Sequence, residues 1–163
     1  MMTVWGNSRT PEIRDGIARF VGDRIPGGSR GFGNCVCLGV IGRERLIAGV
    51  VFHNWNPETQ VIEISSASIS RRWLSRPVLW TMFDYAFNEA GCQMVVARVS
   101  EKNREDNGRG IQRIFKAYGF KETRIERLGG RDAAELIYTL TDTDWRANGY
   151  HKEHRHVAMS YAA

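Results

Sequence analysis

The stretch "SISRRWLSRPVLWTMFDYAF", residues 68–87, decides the fold of this chain. It begins at the end of a predicted strand, "VIEISSASI" at residues 61–69, and passes through a short basic turn that contains no glycine. A helix follows, because apolar side chains recur at helical spacing on one face; they are Leu79, Met82, Phe83, Ala86 and Ala90. A turn between a strand and a helix is the usual place of a phosphate-binding loop. The missing glycine therefore raises the question of what this turn can hold.

The segments before this stretch predict a helix and two strands of a three-strand meander. The helix begins at Pro11, after the capping hydroxyl of Thr10, and runs to about Arg24. The glycine-rich segment "IPGGSRGFGN", residues 25–34, is too flexible for an element and predicts a mobile loop. The strands "CVCLGVI" and "LIAGVVFH" form a hairpin through "GRER", and "NWNPETQ" supplies the turn before the third strand.

The second half of the chain predicts a strand, a helix and two more strands. They are "QMVVARV", a helix that carries Ile111, Ile114, Phe115 and Tyr118, and the strands "KETRIER" and "AAELIYTL". A strand on either side of the central helix implies a right-handed crossover and some parallel pairing, so the fold class is mixed α/β. We expect a single domain over residues 1–141 and a polar carboxy-terminal extension over residues 142–163.

Composition sets the broad class of protein. A chain of 163 residues with 42% hydrophobic and 25% charged residues is typical of a globular domain. No apolar run approaches the roughly 20 residues that span a bilayer, and the amino terminus lacks the pattern of a secretory signal. We therefore expect a soluble, cytoplasmic protein whose three cysteines are reduced and packed. The net charge of +5 favours an anionic partner or a solvated basic surface, and leaves both open.

The order of elements, together with three stretches, resembles the GNAT acyltransferase superfamily. The stretches are "VIEISSASIS", "FDYAFNEAGCQMVVARVSEKN" and "RIFKAYGFKE", and the resemblance runs from about Val36 to Leu140. It implies a mostly antiparallel, twisted central sheet with a splayed parallel pair, flanked by helices. It also implies transfer of an acetyl group from acetyl-coenzyme A (acetyl-CoA) to an amine acceptor, which is a protein amino terminus, a lysine or a small amine. The oligomeric state stays open, with a homodimer as one option.

The resemblance places the cofactor at the turn after the third strand. In the family, a glycine-containing turn presents backbone N–H groups and a helix amino terminus to the diphosphate. Here Leu74 or Ser75 stands where a glycine is expected, and arginines would contact the phosphates instead. A backbone N–H near residues 68–70 would hold the oxyanion, and Ser75 would cap the helix. The residues that the resemblance implies for cofactor binding are Ser68, Ile69, Ser70, Arg71, Arg72, Ser75, Arg76 and Asn103. A solvated turn, or one that binds nucleic-acid phosphates, is the alternative for the three arginines.

Glu63 and His53 are the candidate catalytic residues. An amine acceptor must lose a proton before it attacks, and a carboxylate or imidazole can accept that proton directly or through one water. Glu63 lies on the strand that family members use for this, and His53 ends the preceding strand; an ion-paired or edge-exposed carboxylate is the alternative for Glu63. Many family members have a tyrosine as general acid where this chain has Phe115, and Tyr118 is predicted to be a core residue. The general acid is therefore left unassigned.

Two other functions remain open on the sequence. The first is a nucleic-acid-modifying enzyme of the Mom type, a similar fold with a different cofactor loop, in which Trp55 and Trp73 would contact a base. The second is a binding module that kept the fold without catalysis. The segment "HKEHRH" near the carboxy terminus, with His151, His154 and His156, predicts a solvated basic tail, and no metal site is assigned to it.

Overall fold

A computed structural model describes residues 1–101 and 108–148 of the protein. The chain divides into two compact units, Met1–Met82 and Phe83–Ala163. In the first unit, four strands pair antiparallel in chain order and a helix packs on them. The elements are β1 (Met2–Gly6), α1 (Pro11–Gly22), β2 (Cys35–Gly42), β3 (Arg45–Asn56) and β4 (Val61–Ser68). The meander β2–β4 was predicted, whereas β1 was not, since its five residues show no clear alternation.

Helix α1 covers one face of these strands. Ile17 and Val21 are buried and pack with Cys37 of β2 and Val51 of β3. The predicted start at Pro11 is confirmed, but the predicted cap is wrong: the Thr10 hydroxyl accepts a hydrogen bond from the Asn7 N–H at 3.0 Å and caps no helical N–H group. The Thr10 side chain therefore closes the turn after β1.

The prediction that residues 25–34 form no element is wrong. A single turn of 3₁₀ helix spans Gly28–Arg30. Its glycines allow close packing, because a Cβ on Gly28 would lie 2.4 Å from the carbonyl oxygen of Gly22 at the end of α1. A Cβ on Gly22 would lie 2.6 Å from the Gly28 carbonyl oxygen in turn. Two glycines thus let the loop pack directly on the helix end.

In the second unit, three strands pair antiparallel in the order β5, β7, β6. They are β5 (Met94–Ser100), β6 (Lys121–Gly130) and β7 (Ala133–Thr141), and the helices of this part are α3 (Gly108–Tyr118) and α4 (Asp142–Ala147). Helix α2 (Arg76–Asp84) contains the boundary between the units and continues as one π-helical turn, Tyr85–Glu89. As predicted, the helix gives way at Gly91, which has a positive φ of 72°.

Helix α4 gives the first residues of the predicted polar extension a defined structure. Thr141 caps it, since its hydroxyl accepts from the Asp144 N–H at 3.1 Å. Trp145 is fully buried, and its indole N–H donates to the Tyr118 hydroxyl at 3.0 Å. Residues 142–147 of the predicted polar extension therefore form a helix that Trp145 anchors in the core. Within the described ranges, no helix is long and apolar enough to cross a membrane.

Candidate active site

The turn that joins β4 to α2 uses most of its backbone donors internally. The Ile69 N–H donates to the Ile47 carbonyl at 2.9 Å, and the Ser70 N–H donates to the Ser68 hydroxyl at 2.9 Å. The Ser68 hydroxyl in turn donates to the Ser70 carbonyl at 2.6 Å. Two of the three N–H groups predicted to hold an oxyanion are therefore engaged, and a ligand there would displace the Ser68 hydroxyl to reach the Ser70 N–H.

The start of α2 is capped by its own chain. The Ser75 hydroxyl accepts a long hydrogen bond, 3.4 Å, from the Val78 N–H, and the Ser75 carbonyl accepts from the Leu79 N–H at 2.9 Å. Pro77 has no N–H to offer. The predicted capping role of Ser75 is confirmed, and the helix start presents few free donors to an anion.

Side chains supply the positive charge of this turn. Arg71, Arg72 and Arg76 are all exposed. Arg71 and Arg72 form no ion pair with any residue that the structure describes. Trp73, between them and the helix, is buried with 4% of its surface exposed. The turn therefore directs its indole inward and its guanidinium groups outward.

Glu63 lies on β4, directly opposite His53 on β3. It is half-buried, and the Asn54 amide donates a hydrogen bond to its Oε2 at 2.9 Å. Residues directly opposite on antiparallel strands project from the same face of the sheet. The two candidate bases thus lie side by side, which the sequence predicted only in the general sense that both could face one cleft.

His53 is a buried imidazole with a polar anchor. It is 7% exposed, its Nε2 is 2.9 Å from the Ser65 hydroxyl, and its ring centroid lies 5.0 Å from that of Phe32. Burial lowers the pKa of His53, and the carboxylate of Glu63 partly opposes that shift. The ring is therefore held as a neutral imidazole near neutral pH.

Cys35, His53 and Glu63 form a row across strands β2, β3 and β4, and a cavity of about 300 Å³ opens beside the Cys35 end of this row. Phe32 and Cys35 line one side, and Phe32 is also the residue whose ring contacts His53. Asp15 and Arg19 of α1, and Asp23 just after the end of that helix, also line the cavity. The lining thus includes an aromatic ring, a thiol, two carboxylates and one guanidinium group, together with small residues of the glycine-rich loop.

Phe115, at the position where family members have a tyrosine, and Tyr118 are both core residues. Phe115 is 4% exposed and stacks on Phe120 at a centroid distance of 4.5 Å. Tyr118 is buried as predicted, with its hydroxyl bonded to the Trp145 indole and its carbonyl to the Asn148 amide at 2.6 Å. Both side chains are almost fully buried.

Several predicted residues lie outside the described ranges. They are Asn103 and the histidines of the tail, His151, His154 and His156. Among residues 1–101 and 108–148, no group of three His, Cys, Asp or Glu side chains is placed to hold a metal ion.

Comparison with solved structures finds acetyltransferases. The chain matches a variant of spermidine N-acetyltransferase SpeG from Vibrio cholerae with a TM-score of 0.63 and 12% identity, over 89% of this chain and 97% of that one. It matches the ribosomal-protein-S5-alanine acetyltransferase from Vibrio fischeri with a TM-score of 0.57 and 11% identity, over 84% and 70% of the two chains. A GCN5-related N-acetyltransferase from Brucella melitensis gives a TM-score of 0.57 and 20% identity, over 72% and 55%. The chain has the GNAT fold.

The predicted fold class, mixed α/β of the GNAT type, is thereby confirmed. No protein-family model matches the chain, and no curated protein matches it significantly. With identities this low, the likeness concerns the GNAT fold alone. The catalytic residues and the acceptor must therefore be inferred from the side chains of this protein itself.

Proposed function

We propose that this protein transfers an acetyl group from acetyl-CoA to an amine acceptor. The observation that carries the proposal is the placement of Glu63: a half-buried carboxylate on β4 of a GNAT fold, held by Asn54 and paired with His53. Acetyl-CoA, when bound, supplies an acyl group activated as a thioester. Glu63 then accepts the proton that an ammonium acceptor must lose, directly or through one water. His53 keeps its neutral ring on Ser65 and lines the same face.

The turn after β4 fits a diphosphate by charge and not by backbone geometry. Its N–H groups are largely occupied and no glycine permits a close approach, whereas exposed guanidinium groups bind phosphate through strong, charge-assisted hydrogen bonds. The residues that would hold the phosphates are Arg71, Arg72 and Arg76. Ser75 keeps the helix start ordered beneath them.

The cavity beside Phe32 suits a cationic acceptor. Its lining includes two carboxylates, Asp15 and Asp23, against one guanidinium group, Arg19, and the ring of Phe32, which attracts an ammonium group through its face. Asp15 also accepts a hydrogen bond from Arg14 Nε at 2.8 Å, so Asp23 supplies the uncompensated carboxylate among these lining residues. This favours a small amine, or an amino terminus on a short flexible segment, over a residue within a folded surface. The contact of Phe32 with His53 connects this cavity to the row that contains Glu63.

Calorimetry with acetyl-CoA tests the phosphate site. Replacing Arg71, Arg72 and Arg76 with alanine should weaken binding roughly 100-fold, since a loss of about 1 kcal/mol for each arginine sums to about 3 kcal/mol. The matched control replaces Arg9, Arg30 and Arg131, three exposed arginines in other turns, and removes the same charge. Equal weakening in the two triple variants would show that only net charge matters and that the phosphates bind elsewhere.

Turnover of acetyl-CoA with a panel of amines tests the chemistry. Glu63→Gln should lower kcat by roughly 10²–10⁴, the usual contribution of a general base. His53→Gln should have a much smaller effect. If the two variants lose activity equally, Glu63 is not the principal base.

A nucleic-acid-modifying activity is the second candidate function. It is favoured by Trp55, which is 42% exposed, together with Arg71 and Arg72, whose charges form no ion pair with a residue in the described ranges. Trp73, considered as a second stacking residue, is buried and therefore excluded from that role. Single-stranded DNA should bind the wild type and lose affinity in Trp55→Ala if this candidate is correct. If neither acetyl-CoA nor DNA binds, the protein is a binding module for another partner.

A further inference from the structure

Strand β3 contains a bulge at the position where the candidate site lies. From His53 to Asn56 the strand advances three residues, while its partner β4 covers two, from Glu63 to Val61. One extra residue in β3 is thus accommodated between the two pairs, which is the definition of a β-bulge. The sequence-based prediction ended this strand at His53, because Asn and Pro in "NWNPETQ" indicate a turn; the structure continues it to Asn56.

The bulge changes where the Asn54 side chain can reach. In a regular strand, successive side chains project from opposite faces, so Asn54 would face away from His53 and from the residue opposite it. Asn54 instead has a φ of +52°, in the left-handed region that Asn adopts more readily than most residues. In this conformation its amide reaches Glu63 Oε2 at 2.9 Å. A strained backbone geometry at one residue thus produces one specific contact.

That contact is the one hydrogen bond to Glu63 from any described residue. His53, the titratable residue directly opposite Glu63, is directed elsewhere, since its Nε2 is bonded to Ser65 and its ring contacts Phe32. On the other side of His53, in the same row across the sheet, lies the half-buried thiol of Cys35. The orientation of the Glu63 carboxylate within the first unit therefore depends on Asn54.

We propose that Asn54 is a positioning residue: it holds Oε2 of Glu63 and so directs Oε1 toward the acceptor amine. This inference rests on the proposed acetyl transfer and adds to it a residue with a defined role. An amide donor is well suited, because it fixes a carboxylate by a hydrogen bond without adding a charge that would compete with the ammonium group. The left-handed conformation of Asn54 costs conformational energy, and residues with strained backbones of this kind are common at functional sites.

Asn54→Gly tests the proposal with little risk to folding. Glycine adopts the left-handed conformation freely, so the bulge is retained while the amide is lost. We expect kcat to fall about tenfold, comparable to the loss of one hydrogen bond worth about 1.4 kcal/mol, with the KM for the amine changed less than about twofold. The matched control is Gln60→Gly, which relieves a similar φ of +56° in the turn after β3 and should leave kcat unchanged. Thermal unfolding of both variants verifies that the fold is intact.

A double-mutant cycle with Glu63→Gln separates positioning from a general structural role. If Asn54 acts through Glu63, adding Asn54→Gly to Glu63→Gln should lower kcat no further. A full additional tenfold loss in the double variant, or an unchanged kcat in Asn54→Gly alone, overturns the inference while leaving acetyl transfer intact. Absence of turnover in the wild type overturns the proposed function itself and the inference with it.

Discussion

Replacing Trp145 with alanine should remove a large share of the stability of the second unit. A tryptophan side chain buries roughly 200–250 Å² in a protein core. At about 25 cal/mol per Å², complete burial of this side chain stabilises the folded state by about 5–6 kcal/mol. Alanine retains the Cβ and the surroundings relax in part, so we expect the free energy of unfolding to fall by about 4 kcal/mol. Trp145 is fully buried, against Phe87 and the Tyr118 hydroxyl.

Urea unfolding followed by far-UV circular dichroism measures this effect without relying on tryptophan fluorescence. The matched control is Trp55→Ala, which removes the same side chain from a position that is 42% exposed. The control should change the free energy of unfolding by less than about 1 kcal/mol. Tyr118→Phe should cost about 1–3 kcal/mol, because it leaves the buried indole N–H of Trp145 without its acceptor. Comparable losses in Trp145→Ala and Trp55→Ala would refute the view that α4 is an integral part of the core.

Two further predictions concern titratable groups. The pKa of His53 lies below its ordinary value because the ring is buried, so the unfolded chain binds a proton first and the free energy of unfolding should decline as the pH falls below about 6.5. His53→Gln should flatten this decline in urea titrations between about pH 7.5 and pH 5. An unchanged slope in the variant would contradict the prediction. Burial raises the pKa of Cys92 to about 11 and that of Cys37 above the usual range, so both stay thiols at pH 8. Ellman's reagent should therefore react fastest with Cys35, the half-buried thiol at the cavity. Cys35→Ser should abolish the fast phase of labelling. A fast phase that persists in this variant would locate the reactive thiol elsewhere.

The elements with strong periodicity could be predicted from the sequence. The apolar stripe of α2 places Leu79, Met82 and Phe83 in the core, as the pattern requires, because burial of one helical face is what stabilises such a helix. Helix α4 could not be predicted in this way. It has six residues and a single buried anchor, Trp145, so no repeat exists from which a period could be inferred.

The candidate site could be predicted only in part. Residue types identified Glu63 and His53, and the hairpin register then paired them. Asn54 could not be found, because an asparagine in the left-handed region looks the same in a sequence whether it closes a turn or forms a bulge. The buried position of Trp73 could not be predicted either, because a tryptophan among arginines is compatible both with core packing and with stacking on a ligand.

The basic turn before α2 has a consequence for how selective its binding can be. A glycine loop encloses a phosphate with fixed N–H groups, and the geometry of those groups discriminates one anion from another. Here exposed guanidinium groups on flexible side chains carry the charge, and counterions in the solvent compete with any ligand for them. Affinity at this turn should therefore fall steeply as ionic strength rises, and inorganic polyanions should compete with an organic diphosphate for the same arginines.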